Sequence, residues 1–293
     1  MQKLILGVDI GGTHILAAVV DLNNQQVLHE TMSRADVNAG GSVEEIIEAW
    51  STAILAATGK CDTVVQHIGI AMPGPFDYEQ GIALMKNQGK FDALYGVHVR
   101  PLLTQQLQVR PEHILFQNDA PSFLYGEVLG GAAKGYGKAI GLTLGTGLGS
   151  TWFRDGSAED ANRWNIPFKD SIAEEHLSSR WFVKRFQELT GQQLPHVKAI
   201  ADMHAEDPRV QQLFDEFGQN LAAFLIPFVQ DEQPEVIVLG GNIAKALPLF
   251  ETVLLKTLHQ QSITLPVKQA VLGEEAALIG AANLWNTSHI QKL

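Results

Sequence analysis

Residues 3–10 (KLILGVDI) are apolar at nearly every position, and residues 13–21 (THILAAVVD) repeat the pattern after Gly11-Gly12. Near-continuous apolar runs of this length read as strands buried on both faces. Two of them joined by a Gly-Gly pair predict a β-hairpin. A further strand is expected at 27–33, after a turn at Asn23-Asn24. Ser42 with Glu45 three positions on makes a capping box, and Ile46, Ile47, Trp50, Ile54 and Leu55 share one face of the helix it opens. Gly59 ends that helix. Residues 67–72 and 114–117 complete the strands of the first half, the former stopped by Pro73-Gly74-Pro75.

About half a chain after Gly11 the opening pattern returns. Residues 139–144 (AIGLTL) predict a strand, Gly145-Thr146-Gly147-Leu148-Gly149 a turn, and 150–153 a second strand. Residues 154–170 are polar and irregular, which suits a substrate loop. Ser171-x-x-Glu174 then predicts a second capping box, at the head of a helix over 172–189. Residues 235–239 (EVIVL) form a strand ending in Gly240-Gly241, with a helix after Asn242, and 274–285 has helical spacing filled by small residues. Strands alternating with helices predict an α/β protein. The recurring hairpin predicts two related lobes with a cleft between them.

Composition narrows the class. Of 293 residues, 45% are hydrophobic and 18% charged, enough for a sizeable core and too little charge for disorder. Lys plus Arg total 21 against 32 Asp plus Glu, a net charge of −11. That acidity argues against nucleic acid and anionic membranes as partners, since both are held by basic patches. A single cysteine, Cys61, excludes an internal disulfide and any multi-cysteine metal site. No apolar run approaches the roughly 18 residues that span a bilayer, and the N-terminus lacks a signal-peptide pattern. A cytoplasmic protein is expected.

Three glycine turns follow strands: Gly11-Gly12-Thr13, Gly145-Thr146-Gly147 and Gly240-Gly241-Asn242. Glycine lets backbone N–H groups approach a ligand closely, and successive N–H groups form an anion nest. Each turn alone is explained by chain reversal; three at strand ends favour phosphate binding. There is no G-x-x-x-x-G-K-[ST] sequence, and Gly145-x-Gly147-x-Gly149 leads into a strand instead of a helix, so neither a P-loop nor a dinucleotide fingerprint fits. Asp9, beside the first turn, suits Mg²⁺ support or a local turn bond. Asp119 suits an N-cap of the helix that follows, or a general base. Glu174 suits its capping box or a sugar hydroxyl, and His176 reads first as a polar surface residue.

Asp9-Ile10-Gly11-Gly12-Thr13, Pro73-Gly74-Pro75, Asn118-Asp119, Gly145-Thr146-Gly147-Leu148-Gly149 and Val238-Leu239-Gly240-Gly241-Asn242 occur in the order and spacing of the ROK sugar kinases, which the chain resembles over nearly its whole length. The resemblance implies a two-lobed actin-like, hexokinase-like α/β fold, with a smaller lobe of 1–117 plus 276–293 and a larger one of 118–275, that closes over ATP, Mg²⁺ and a hexose. By position it assigns Asp9 to the metal, Gly11, Gly12 and Thr13 to the first phosphate loop, and Gly145, Thr146 and Gly147 to the second. Gly240, Gly241 and Asn242 fall by the adenosine. It makes Asp119 the catalytic base, and Asn118, Glu174 and Asn87 sugar contacts. A homodimer is implied as well.

The departures from the family lie in the acceptor pocket. The zinc-binding cysteine run of many members is missing, so no zinc site is expected. Ala161-Asn162-Arg163-Trp164-Asn165 corresponds to the family's G-E-x-G-H segment, with Asn162 and Asn165 replacing a Glu and a His; both amides still donate and accept hydrogen bonds. His14 stands where many members have Lys. The expected activity is ATP-dependent phosphorylation of a hexose or hexose derivative, at the 6-hydroxyl. The alternatives are a kinase for N-acetylhexosamines or β-glucosides, and a non-catalytic sugar-responsive regulator. The first strand starts by Lys3, which leaves no room for the repressors' DNA-binding segment.

Overall fold

The computed structural model describes residues 3–286. They divide into two compact units, one holding the chain up to Gly131 together with the part from Glu274 onward, the other Ala132–Gly273.

The first unit opens with β1 (Leu4–Ile10) and β2 (His14–Asp21), antiparallel from Leu4 opposite Asp21 to Ile10 opposite Ile15. The strand expected at 27–33 is instead broken. It forms β3 (Gln26–Val27), a 3₁₀ turn at His29–Thr31, and β4 (Ser33–Asp36), with both strands on the outer edge of β2. Thr31 causes the break: its buried hydroxyl accepts from Val19 N at 2.9 Å and donates to Leu28 O at 2.6 Å, which turns the chain inward. Next comes α1 (Val43–Thr58), whose Ser42–Glu45 capping box is fully formed. After it, β5 (Ile68–Met72) runs parallel to β1, followed by the small hairpin β6 (Phe76–Asp77) and β7 (Ile82–Ala83). The unit continues with α2 (Val99–Leu107), β8 (Ile114–Asn118) parallel to β5, and α3 (Asp119–Gly130). The sheet order is β3-β2-β1-β5-β8.

The second unit repeats this plan. Strands β9 (Ala139–Leu144) and β10 (Leu148–Arg154) form an antiparallel hairpin, with β11 (Ser157–Asp160) on its edge. A two-residue pair, β12 (Pro167–Phe168) and β13 (Ser171–Ile172), precedes four helices: α4 (Ala173–Leu177), α5 (Ser179–Thr190), α6 (Val197–Asp202) and α7 (Pro208–Glu232). Strand β14 (Val236–Gly240) lies parallel to β9, then come α8 (Leu247–Gln260) and β15 (Val267–Gln269), giving the order β11-β10-β9-β14-β15. Phe182, Phe186, Phe214, Phe217, Phe224, Phe228 and Phe250 fill its core. No helix among the described residues is long and apolar enough to cross a membrane.

The chain then returns to the first unit as α9 (Glu275–Ala282). This helix lies between the β1–β5 part of the sheet and α3 with almost no side chain in between. A Cβ added to Gly7, Gly69, Gly126 or Gly280 would fall onto the backbone of Leu278, Ala281, Ala276 or Ser122 respectively. The small residues of 274–285 are thus the requirement of a backbone-to-backbone seam. That seam also binds α3 into the first unit, so the boundary expected after Gln117 falls one helix earlier than the observed division. Residues 287–293 of the expected small lobe lie outside the described residues.

Candidate active site

Alternation along β1 sets the first half of the site. Leu6, Val8 and Ile10 join the apolar core, which sends Gly7 and Asp9 to the opposite face, where α9 lies. Asp9 therefore ends its strand among the starts of two helices, with Asp119 opening α3 and Glu274 capping α9. Burial is the main cause that raises the Asp9 carboxyl to about 7, the charges of Asp119 and then Glu274 add to it, and Arg34 opposes them. Arg34 Nη1 donates to both oxygens of Glu274, at 2.9 and 2.8 Å. The β1–β2 turn beside this cluster is tied by Gly11 N donating to His14 O at 2.8 Å. The His14 ring lies 3.2 Å from Thr13 Oγ1 and 3.7 Å from Glu274 Oε1.

Asn118 and Asp119 share the head of α3 differently from the expectation that Asp119 caps it. The N-cap is Asn118: its Oδ1 accepts from Ala120 N at 3.0 Å, while its Nδ2 donates to Tyr78 Oη at 2.8 Å. Asp119 is the first helical residue, and its Oδ1 also accepts from Ala120 N, at 2.9 Å. Asn87 lies exposed in the loop before α2, in the left-handed backbone region at φ 57°.

In the second unit the β9–β10 turn is clamped from both sides by the segment around Ser178. Gly145 O accepts from Ser179 N at 2.8 Å and from Ser179 Oγ at 2.9 Å. Leu148 N donates to Glu174 Oε2 at 3.0 Å, and Arg180 donates to Glu174 Oε1 at 2.8 Å. These bonds overturn the capping box read at Ser171-x-x-Glu174. The N-cap of α4 is Ile172, without a side-chain cap. The first amides of α4 are satisfied from the preceding loop instead, Ala173 N by Ile166 O at 3.1 Å and Glu174 N by Trp164 O at 2.9 Å. Ser178 is extended (φ −115°, ψ 171°), so the single helix expected over 172–189 is two. His176 Nε2 lies 3.0 Å from Asp170 Oδ1.

The loop at 161–166 holds Asn162 at φ 49°, with its Oδ1 accepting from Trp164 Nε1 at 2.9 Å. Trp164, 39% exposed, and Asn165 both face solvent. After β14, Gly241 takes φ 84° and packs so closely on Leu144 that a Cβ there would meet the Leu144 carbonyl. Asn242 is exposed and accepts from Lys245 Nζ at 2.8 Å. The first unit thus gathers Asp9, Gly11, Gly12, Thr13 and Asp119, and the second gathers Gly145, Thr146, Gly147 and Glu174. Sequence reasoning missed Glu274, Arg34, Tyr78 and Ser179. Of these only Ser179, one residue past the E-x-x-x-S segment, had a signal nearby.

The family model for ROK proteins matches residues 5–159 and 170–288. This chain belongs to the ROK family. Among its relatives, glucokinase of Thermotoga maritima is 24% identical over 97% of this chain and 98% of its own length. N-acetyl-D-glucosamine kinase of Mannheimia succiniciproducens is 24% identical over 97% of this chain and all of its own. The fold is that of the ROK hexokinase from Thermus thermophilus (TM-score 0.79, 22% identity, covering 99% of this chain and 100% of the other). A ROK glucokinase from Streptomyces griseus, in complex with glucose and AMPPNP, is equally similar (TM-score 0.78, 23% identity, 96% and 99% covered). This ROK chain accordingly has the actin-like, hexokinase-like ATPase fold expected from its motifs.

Proposed function

We propose that the protein is an ATP-dependent kinase that phosphorylates a hexose or hexose derivative at its 6-hydroxyl. One observation carries this reading: Asp9 and Asp119 lie close enough, at the end of a strand and the head of a helix, for the charge of one to raise the pKa of the other. Phosphoryl transfer needs such a division of labour between a carboxylate for a cation and a carboxylate for a proton. Asp119 takes the proton of the acceptor hydroxyl as its oxygen bonds to the γ-phosphorus. The bond from that phosphorus to the β–γ bridging oxygen breaks, and ADP leaves with the electron pair. Backbone N–H groups of Gly12 and Thr13 and of Thr146 and Gly147 donate to the phosphate oxygens, those of Gly11 and Gly145 being spent on holding their turns, and Gly240, Gly241 and Asn242 border the adenosine.

Mg²⁺ fits Asp9. A buried carboxylate raised to about 7 by burial and by neighbouring acids is stabilised by a cation, and Mg²⁺ takes one or two carboxylates plus phosphate oxygens and water. When bound it would neutralise charge on the phosphates. The sugar is assigned to Asn87, Asn118, Asn162, Asn165 and Glu174. Relatives named for glucose and for N-acetyl-D-glucosamine bracket the acceptor. The resemblance extends the reading to a cytoplasmic homodimer, which light scattering would check.

The test is ADP release across hexoses, N-acetylhexosamines and β-glucosides, with Asp119→Asn alongside. Asn118 still caps α3 in that variant, and the amide oxygen introduced beside it remains an acceptor for Ala120 N, so it should fold. Turnover should drop by about 100-fold or more. Undiminished turnover in the variant would remove Asp119 as the base, and no ADP release with any sugar would favour the non-catalytic regulator.

A further inference from the structure

Among the described residues, the basic side chains around the first glycine turn are engaged, with one exception. Arg34 is spent on Glu274, and the His14 ring sits between Thr13 and the same Glu274. Lys86 lies over the Tyr95 ring at 4.8 Å. Asp9, Asp119 and Glu274 are all negative when ionised, so a polyphosphate arriving at Gly11-Gly12 would meet repulsion unless another cation faces it. Lys90 lies in the right place. A methyl group on Gly12 would touch Lys90 Cδ, 3.7 Å away, which puts the ammonium two bonds further along a side chain already draped over the turn. Among the described residues Lys90 has no ion pair or hydrogen-bond partner. Its base is fixed, because the next residue, Phe91, is fully buried, stacks edge-on against Trp50 at 5.3 Å, and donates its N–H to Ala39 O at 2.7 Å.

We propose that Lys90 binds the terminal phosphates of the nucleotide at the Gly11-Gly12 turn, supplying a cation from another loop. The inference rests on the kinase reading and adds to it a phosphate contact. Lysine serves such a role as a point charge on a long stem, so its Cα need not lie on the phosphate loop itself.

The experiment is calorimetric titration of AMPPNP and of AMP into the wild-type chain, Lys90→Met and Lys90→Arg, with steady-state kinetics on the best sugar. Methionine keeps the stem and removes the charge. Lys90→Met should bind AMPPNP about tenfold to a hundredfold more weakly, leave AMP affinity and melting temperature unchanged, and lose kcat/KM in step with AMPPNP affinity. Lys90→Arg should recover most of both. Wild-type AMPPNP affinity in Lys90→Met would overturn the proposal. So would an equal loss for AMP, which would mean that Lys90 only shapes its loop. A wild-type chain that binds no AMPPNP would overturn the kinase reading together with this one. If it binds AMPPNP with the expected Lys90 dependence and phosphorylates no sugar, the kinase reading alone falls.

Discussion

Replacing Asp9 with Asn should stabilise the protein at neutral and alkaline pH while removing its activity. The carboxyl has an ordinary value of 3.8 and stands at about 7 in the folded chain. Between those values the folded state holds a proton that the unfolded state has lost, so stability falls as pH rises through that window. The slope is about 1.4 kcal/mol per pH unit. The loss therefore grows from pH 3.8, levels off above about 7, and reaches about 4 kcal/mol. That is a large share of the roughly 5–15 kcal/mol that holds a typical domain together. Asn has nothing to ionise, so the variant should match the wild type near pH 4 and exceed it by about 4 kcal/mol at pH 8.

Urea unfolding at pH 4, 5, 6, 7 and 8, without nucleotide or divalent cation, measures this directly. Parallel profiles for the two proteins, or a wild type more stable than the variant at pH 8, would refute the reasoning. The charges of Asp119 and Glu274 both raise this carboxyl and Arg34 opposes them. Asp119→Asn should narrow the pH window of that loss without closing it, because burial is the larger cause. A destabilised acid retained at a strand end is the usual mark of a functional trade-off.

Three further outcomes are expected. Gly280→Ala should cost about 3 kcal/mol or prevent soluble expression, since its methyl would fall onto the Ser122 carbonyl; an unchanged melting temperature would contradict the seam. Glu174→Ala should lower stability in urea by about 1–3 kcal/mol by leaving the amide of buried Leu148 without its acceptor; an unchanged midpoint would show that this amide finds another partner. Trp164→Ala should raise KM for the preferred sugar about three- to tenfold and leave the melting temperature alone, because the residue is 39% exposed. Equal sugar KM values would take the 161–166 loop out of the acceptor site.

Much of the fold was legible because its signals are local. The hairpins at Gly11 and Gly145 and the parallel strands ending at Met72 and Gly240 follow from apolar runs punctuated by glycine, and the Ser42–Glu45 box formed as its spacing required. Two misreadings share one cause, which is that a side chain chose a distant partner over a near one. Thr31 turned inward to Val19 and broke the strand expected at 27–33. Glu174 has the spacing of a capping box, yet its carboxylate went to Leu148 and Arg180, and its own amide, which the Ser171 hydroxyl would have capped, went to Trp164 O. A sequence window of four residues cannot register that competition.

The same limit explains the candidate site. Asp9, Asp119 and Glu274 are far apart in the chain, and each taken alone has an ordinary local duty at a turn or a helix head. Only the seam of Gly7, Gly69, Gly126 and Gly280 brings α3 and α9 close enough to β1 for their leading acids to share one field. The rest follows from a shift of one residue at the head of α3. Because Asn118 is the cap, with its amide also held by Tyr78, the helix does not depend on the charge of Asp119. Cap and acid, which a sequence reading merges into one residue, are separate functions on neighbouring side chains. The Asp119→Asn variant can therefore remove the charge without unravelling the helix that carries it.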